Sequence, residues 1–259
     1  MKILLLGFGS IGRHIVRLVD HEFTALVRDI DAHRERSTLG VRLITEAEFE
    51  QALAKADLVV EAAGVAAAKQ FLPRVYKPFV LTSVGALADP TIADQLMTPH
   101  LHVTNGAIGG LDLLEAVADQ LDDVSITTSK DSTGLIQPWM SADEAARLEA
   151  LTEPETLFRG TPIEAIEKFP GNVNVAVALA YAIRGSHPFS KALQKVQVQL
   201  VADPLRPESA HVIEASGEAG QFRFEFVAAP SPINPATSGT TALSLAATIR
   251  RIAPYIRRN

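Results

Sequence analysis

A glycine-rich turn at the start of the chain limits the possible folds more than any other sequence feature. Residues 1–6, which are apolar except for Lys2 with its apolar stem, lead into the pattern Gly-x-Gly-x-x-Gly, and residues 13–19 then carry apolar side chains at helical spacing. This order predicts a strand, a tight turn and a helix. Gly7 permits the turn, Gly9 leaves the backbone open to a pyrophosphate, and Gly12 lets the helix pack closely on the strand. The motif predicts a dinucleotide site; a purely structural turn is the alternative.

The residues that open the predicted helix belong to the same site. Ser10 and Ile11 lie between the second and third glycines, at the N-terminus of the helix. A helix N-terminus offers free N–H groups and a partial positive charge to phosphates. Ser10 and Ile11 are therefore predicted cofactor contacts together with the three glycines.

The end of the predicted second strand bears on which dinucleotide binds. Residues 22–28 form a strand-like run that ends at Arg28, and Asp29 and Asp31 follow it. In dinucleotide folds an acid near this point binds ribose hydroxyls, whereas an arginine accommodates a 2′-phosphate. Arg28 would favour NADP and the aspartates would favour NAD, while an Arg28 that is only a solvated loop charge favours neither. The sequence leaves NAD and NADP both open.

Strands and helices alternate from residue 1 to about residue 110. Residues 30–45 are typical of an exposed connection, residues 57–64 of a buried strand with small residues at its end, and residues 79–86 of a further strand. Small residues at a strand end let a cofactor lie close to the backbone, so Ala63 is a predicted contact. The alternation predicts a Rossmann-type parallel sheet, in a dinucleotide-binding domain over residues 1–110.

A different pattern follows, with strands in which apolar and polar residues alternate. The strand-like runs are residues 124–130, 195–202, 211–217 and 222–226, and helical stretches lie at 142–150, 161–168 and 172–183. This pattern predicts a second, α+β domain over residues 111–237 with a mostly antiparallel sheet. The last helix, from residue 238 to about residue 256, is expected to return to the first domain, which residues 238–259 would complete.

Composition excludes several classes of function. The net charge is −6 and the basic residues are scattered, apart from two terminal arginine pairs, so a nucleic-acid partner is not expected. There is no cysteine, hence no disulfide and no thiolate nucleophile or metal ligand. No apolar run reaches the ~18 residues of a membrane helix, and the N-terminal run ends in the glycine motif rather than a cleavage site. We expect a cytoplasmic protein with a small-molecule substrate and no metal.

An oxidoreductase that uses a nicotinamide cofactor needs an acid–base group. Histidine is the first candidate because its ordinary pKa lies near neutrality. Of seven histidines, His211 opens an alternating strand and follows a loop that contains Asp203. That position suits a catalytic residue. The glycine-rich loop at residues 106–110, with its preceding asparagine, suits a wall for the nicotinamide; a simple interdomain turn is the alternative.

Four segments of the chain resemble the L-aspartate dehydrogenase family. They are residues 106–112, 169–176, 201–204 with His211, and 231–238. Their order matches from the first glycine to the last helix, and the Gly-Ala-Ile-Gly-Gly and Asn-Val-Asn-Val-Ala runs are the most specific. The resemblance implies NAD(P)-dependent oxidative deamination of L-aspartate to oxaloacetate through iminoaspartate, an imine that can also supply the quinolinate branch of NAD biosynthesis.

The resemblance also implies roles for particular residues. His211 matches the histidine assigned as the active-site residue, and Ala107 and Asn174 match cofactor-binding positions. A neutral imidazole can accept a proton from the substrate ammonium or from attacking water. Asn174, near a helix start, can bond the carboxamide of the nicotinamide and so fix which ring face is offered.

Two substrate carboxylates would need donors. Lys130 is one candidate, with a solvated strand lysine as the alternative. Thr237 and Ser238, at the start of the last helix, are another, and capping that helix is compatible with binding.

The segment 181–194 looks longer than the corresponding link in the family and leaves the substrate open. A dehydrogenase for another small amino or hydroxy acid, and a dinucleotide-binding sensor without turnover, are the alternatives. The alternating sheet and the resemblance together predict a homodimer.

Overall fold

The computed structural model describes residues 1–33, 40–171, 173–231, 234 and 238–256. The strands in this part of the chain are β1 (Lys2–Leu6), β2 (Glu22–Leu26), β3 (Arg42–Ile44), β4 (Leu58–Glu61), β5 (Phe79–Leu81), β6 (Leu101–Val103), β7 (Leu121–Lys130), β8 (Glu155–Gly160), β9 (Val196–Ala202), β10 (Ser209–Gly217) and β11 (Gly220–Ala228). The α-helices are α1 (Ser10–Leu18), α2 (Phe49–Lys55), α3 (Val65–Phe71), α4 (Pro90–Leu96), α5 (Leu111–Ala116), α6 (Ala142–Glu149), α7 (Pro162–Lys168), α8 (Asn174–Ala182), α9 (Phe189–Lys195) and α10 (Thr240–Ile256).

The chain divides into two compact units. Unit 1 comprises residues 1–106 and 241–259, and unit 2 comprises residues 107–240. The domain boundaries expected from the sequence lie at 110/111 and 237/238. The last helix therefore belongs to the same unit as the first strand.

Unit 1 is built on a six-stranded sheet in the order β3-β2-β1-β4-β5-β6, and all of its pairs are parallel. The prediction of a Rossmann-type parallel sheet is confirmed. The strand order reverses between β1 and β4, so the carboxyl ends of these two strands flank the crevice in which such sheets bind ligands.

The core of unit 1 joins the two ends of the chain. Ile3 and Leu5 of β1 are buried in one cluster with Leu245, Ile249 and Ile252 of α10. These α10 positions recur at helical spacing and so form the apolar face of that helix. Burial of this face keeps the last helix on the first sheet.

Three details of unit 1 differ from the sequence prediction. Residues 30–45 were expected to be an exposed connection, but Arg42–Ile44 forms the edge strand β3, parallel to β2. The second strand ends at Leu26 rather than at residue 28. The strand expected over residues 79–86 ends at Leu81, and a 3-10 helix occupies Val84–Ala88. Such short elements carry too few residues for a periodic pattern to appear.

Unit 2 is built on a five-stranded sheet in the order β11-β10-β7-β9-β8. Only the central pair β7–β9 is parallel, and the other three pairs are antiparallel, which confirms the mostly antiparallel sheet. Helices α7, α8 and α9 pack against β9. Apolar residues of β7 and β9 alternate toward the buried face, as Val124, Ile126, Val198 and Leu200 show.

Two elements of unit 2 were not predicted. Strand β8 lies at the sheet edge and has only one buried residue, Phe158, so its pattern is mostly polar. All but the last residue of helix α9 lies in the segment 181–194 that looked longer than its counterpart in the family, and α9 packs against α8. Much of that segment is therefore ordered helix rather than an extended link.

Candidate active site

Two of the three motif glycines are required by close packing in unit 1. Gly7 has a φ of 91°, and a Cβ there would lie 2.7 Å from Cβ of Ala63. A Cβ on Gly12 would lie 2.5 Å from the carbonyl oxygen of Gly7. A side chain at either position would overlap neighbouring atoms, so these glycines hold β1, α1 and the loop after β4 together.

Gly9 is different, because a Cβ there would meet no atom within 4 Å. It is the N-cap of α1 and its lack of a side chain leaves the first turn of that helix, which contains Ser10 and Ile11, without a side-chain cap. Open space beside uncapped N–H groups is the geometry that a pyrophosphate requires. The residues present at this turn therefore fit a dinucleotide.

A cavity of about 780 Å³ extends from this turn across the carboxyl ends of the strands. Its lining includes Gly7, Gly9, Ala63, Arg28 and His33. A cavity of this size is in the range of small-molecule and cofactor sites. The structure thus brings the predicted contacts Arg28 and Ala63 into one cavity with the glycine turn.

The Asp29 carboxylate, one of the acidic candidates near Arg28, is bonded within its own turn. The Asp29 side chain accepts hydrogen bonds from the backbone N–H groups of Asp31 and Ala32 at 2.9 and 3.4 Å. Its carboxylate therefore stabilises its own turn. Arg28 is exposed at the cavity wall. The six residues 34–39, which follow His33, lie outside the described part of the chain.

The predicted catalytic histidine lies in the sheet of unit 2. His211 of β10 pairs with Thr128 of β7 on one side and with Phe226 of β11 on the other. His211 is only 4% exposed, and its Nδ1 lies 2.9 Å from Oγ1 of the buried Thr128. This hydrogen bond fixes the plane of the imidazole and leaves Nε2 as the nitrogen available for chemistry.

The surroundings keep His211 uncharged. Burial, and to a smaller extent the nearby charge of Lys130, lower the pKa of His211 to about 4. Burial also lowers the pKa of Lys130 below its ordinary value. Above pH 5 the ring is therefore a neutral imidazole, the form that can accept a proton.

The loop predicted to wall the nicotinamide packs near His211 within the same unit. A Cβ on Gly109 would lie 3.3 Å from the ring of Phe226, the residue paired with His211. Gly110 has a φ of 67°, and a Cβ there would lie 2.6 Å from the ring of Phe224. The glycines let the loop that begins at Ala107 lie directly on these aromatic rings.

The remaining predicted residues take separate positions. Asn174 is the first residue of α8, and Asp203 donates its backbone N–H to the carbonyl of Lys130 at 2.7 Å. The Ser238 hydroxyl accepts from the backbone N–H of Thr240, the first residue of α10, at 3.3 Å. Thr237 lies outside the described residues.

Sequence reasoning missed two buried polar residues. Thr128 reads as one of several hydroxyl residues in a strand, and its role appears only when the register of β7 and β10 is known. Glu61 ends the apolar strand β4 and is fully buried. A charged residue that closes an apolar strand was a usable signal, because buried carboxylates almost always have partners.

The described part of the chain contains neither a cluster of metal-ligating side chains nor a helix long and apolar enough to cross a membrane. No group of three or more potential ligands among the described residues has the arrangement needed to hold a metal ion. The described helices are each too short or too polar to cross a lipid bilayer.

Comparison with protein-family models matches both parts of the chain. Residues 112–252 match the model described as aspartate dehydrogenase, C-terminal. Residues 7–100 match the model described as homoserine dehydrogenase, NAD binding domain. The glycine turn lies in the second match and His211 in the first.

Comparison with individual proteins gives the same picture over the full length. The chain is 33% identical to the L-aspartate dehydrogenase of Nitrosopumilus maritimus, with 96% of each chain covered. It is 31% identical to that of Methanosarcina mazei, with 97% of each covered. The crystal structure of aspartate dehydrogenase from Thermotoga maritima has a TM-score of 0.73 at 24% identity and covers 99% of this chain and 96% of that one, so the fold is shared.

Proposed function

We propose, from the premise that this chain belongs to the aspartate dehydrogenase family, that it catalyses the NAD(P)-dependent oxidative deamination of L-aspartate to iminoaspartate, which hydrolyses to oxaloacetate and ammonia. One observation carries the catalytic part of the proposal. His211 is buried, hydrogen-bonded to Thr128 and held neutral in the region that matches the aspartate dehydrogenase model. Because the proposed reaction uses a dinucleotide that has to be recycled, we also propose that the enzyme is cytoplasmic.

Unit 1 supplies the cofactor site in this proposal. The backbone at Gly7, Gly9 and Gly12, together with Ser10 and Ile11, would hold the pyrophosphate. Arg28 and Ala63 line the adjoining cavity. When bound, the nicotinamide ring of NAD or NADP accepts the hydride that leaves Cα of aspartate.

Unit 2 supplies the acid–base group. The neutral Nε2 of His211 would take a proton from the substrate ammonium before hydride loss, or from the water that attacks the imine carbon. Thr128 keeps the ring from rotating while the proton moves. The Ala107–Gly110 loop and Asn174 would border the nicotinamide, with the Asn174 amide bonding its carboxamide.

The two carboxylates of aspartate need cationic or N–H donors. Lys130 belongs to the same strand as Thr128 and is close enough to His211 to lower its pKa. We propose that its ammonium binds one substrate carboxylate, whose negative charge would in turn stabilise the charged lysine. Ser238, which precedes α10, and its neighbour in sequence Thr237 are proposed for the other carboxylate.

The direct test mixes the purified protein with L-aspartate and either NAD⁺ or NADP⁺ at alkaline pH and follows reduced-nicotinamide absorbance. We expect turnover with at least one cofactor, and none with D-aspartate. Tight dinucleotide binding without turnover on any amino or hydroxy acid would contradict the enzymatic proposal and favour a sensor. Turnover on a different amino acid would keep the reaction and change the substrate.

We further propose that the second face of the unit 2 sheet joins two copies of the chain. The residues on this face alternate with the buried ones and are small or uncharged near the sheet centre: Ser125, Thr127, Ser129, Gln199, Val201 and Val212. A central surface of this kind suits self-association better than a charged one. Light scattering should give the mass of a dimer, and Thr127→Arg should give a folded monomer. A wild-type monomer would contradict this proposal.

A further inference from the structure

The carboxylate of Glu61 lies at the carboxyl end of β4 and is the most completely enclosed acidic group in the described part of unit 1. Glu61 has no exposed surface. Its neighbours are Leu6 at the end of β1 and Leu81 at the end of β5. It therefore sits beside the point where the strand order of the sheet reverses, and the chemistry proposed above makes no use of it.

Both oxygens of this carboxylate are fully engaged. Oε1 accepts from the backbone N–H groups of Ala63 and Gly64 at 2.8 and 2.9 Å, and from the hydroxyl of Ser83 at 2.9 Å. Oε2 accepts from the backbone N–H groups of Thr82 and Ser83 at 3.3 and 2.8 Å. One side chain thus ties the loop after β4 to the loop after β5.

The hydrogen-bond pattern identifies the group as an ionised carboxylate. Burial raises the pKa of Glu61 above its ordinary value, and the bonds from Ser83, Ala63 and Gly64 offset only part of that rise. Four of the five donors are backbone N–H groups, which cannot accept a proton from a carboxylic acid. Protonation of either oxygen would turn a donor toward another donor, so the charged form is the one that this enclosure fits.

The two tied loops lie where the nicotinamide half of a dinucleotide would be held. A dinucleotide crosses the sheet at the reversal between β1 and β4, with its pyrophosphate at the N-terminus of α1. The cavity runs from Arg28, after β2, to Ala63, after β4. Because the ribose next to the adenine binds at the end of β2, the nicotinamide half extends past β4 toward β5. Ala63 is also packed against Gly7, whose missing Cβ would be 2.7 Å away.

We propose that Glu61 is a positioning residue that holds the loops after β4 and β5 in the arrangement that receives the nicotinamide half of the cofactor. This inference rests on the proposed function, since it concerns the same dinucleotide. It assigns Glu61 no contact with substrate and no proton transfer. Its effect acts through the backbone of residues 62–64 and 82–83.

Glu61→Gln changes the hydrogen bonds to one loop and keeps those to the other. The amide oxygen can still accept from Ala63 and Gly64, whereas the amide nitrogen must face the N–H groups of Thr82 and Ser83. The loop after β5 is then released while the loop beside Gly7 is kept. We expect the dissociation constant of NADH, or of NADPH if that is the form bound, to rise about tenfold or more.

The measurement is a fluorescence titration of the full chain with the reduced dinucleotide, in the absence of aspartate. ADP, which lacks the nicotinamide and its ribose, is the second probe and should bind E61Q within about threefold of wild type. Ser83→Ala removes the hydroxyl donor and leaves the carboxylate in place. It should raise the dissociation constant of the reduced dinucleotide by a smaller factor than E61Q does. Asp57→Asn is the matched control, because Asp57 accepts from Lys2 N–H at 2.7 Å at the opposite end of β4.

The outcomes separate the inference from the proposed function. Unchanged NADH affinity in folded E61Q and S83A would overturn the inference alone. Equal loss of NADH and ADP affinity, reproduced in D57N at the same fall in Tm, would overturn it too, since it would show a general structural role. A wild-type chain that binds neither NADH nor NADPH would overturn the proposed function and this inference with it.

Discussion

The candidate functional groups of the two units are of opposite kinds. In unit 1 the glycine turn works by missing side chains: Gly7 and Gly12 allow close packing, and Gly9 leaves open space beside the N–H groups of α1. In unit 2 the site consists of side chains, with His211 and Thr128 buried together. Binding a phosphate needs only backbone N–H groups in a fixed place, whereas moving a proton needs a titratable group in a tuned environment.

This difference means that substitutions in the two units should affect different measured quantities. Changes in unit 1 should alter cofactor affinity and the free energy of unfolding. Changes at His211 should alter turnover and the dependence of stability on pH. Four predictions test this separation, and any one of them can contradict it.

The largest effect is expected for His211→Ala. Loss of the acid–base group should lower kcat by about 10²–10⁴-fold, because neither the ammonium nor the attacking water then has a proton acceptor. The NADH dissociation constant should stay within about twofold, since the proposed mechanism gives His211 no contact that holds the dinucleotide. His187→Ala, at an exposed loop position, is the control. Full turnover by H211A would remove His211 from the mechanism.

The second effect concerns stability in acid. The pKa of His211 is about 4 in the folded chain and about 6.5 unfolded. As the pH falls from 6.5 to 4 the unfolded chain takes up a proton that the folded chain does not, so stability falls by roughly 3 kcal/mol. Urea unfolding at several pH values should show this slope in wild type and a shallower one in His211→Gln. Equal slopes would mean that His211 titrates normally when folded.

The third effect separates the glycines from one another. Gly12→Ala should lower the free energy of unfolding by about 1–3 kcal/mol, because its Cβ would overlap the Gly7 carbonyl. Gly9→Ala should leave that free energy almost unchanged and weaken dinucleotide binding about tenfold. Thermal melts and NADH titrations together measure both quantities. A stability loss in G9A would show that its open surroundings are needed for folding rather than for the cofactor.

The smallest effect is expected at the only charged side chain assigned to cofactor binding in unit 1. If Arg28 pairs with a 2′-phosphate, Arg28→Ala should raise the dissociation constant of NADP⁺ by about fivefold to tenfold and leave that of NAD⁺ unchanged. Asp29→Asn provides the comparison, because the Asp29 carboxylate is bonded within its own turn. Equal affinities in wild type and R28A for both cofactors would identify Arg28 as a solvated loop charge.

The sequence was most informative where function depends on local backbone geometry. The glycine turn occupies six consecutive residues, and its strand and helix adjoin it in the chain. The segment Gly7–Gly12 could therefore be predicted as a dinucleotide turn from local sequence alone. Periodicity likewise predicted both sheets. The edge strands β3 and β8 were missed because β3 has only three residues and β8 has only one buried residue, so neither gives a clear alternation.

The buried polar contacts were not predictable in the same way. Thr128 and His211 are 83 residues apart and meet only through the register of β7 and β10. Glu61 is hydrogen-bonded to loops that follow two different strands. No pattern within β4 indicates which N–H groups donate to its carboxylate. Contacts of this kind depend on tertiary pairing, for which a single sequence holds no periodic signal.

The position of α10 in the core of unit 1 has a consequence for the order in which the protein is made. Leu245, Ile249 and Ile252 pack with Ile3 and Leu5, so the sheet that begins at the N-terminus lacks one side of its core until the C-terminal segment has left the ribosome. Unit 2 is continuous in the chain and can close first. During synthesis unit 1 therefore cannot complete its core until unit 2 and then α10 have been made. Nascent chains that stop before α10 should be targets for chaperones and proteases.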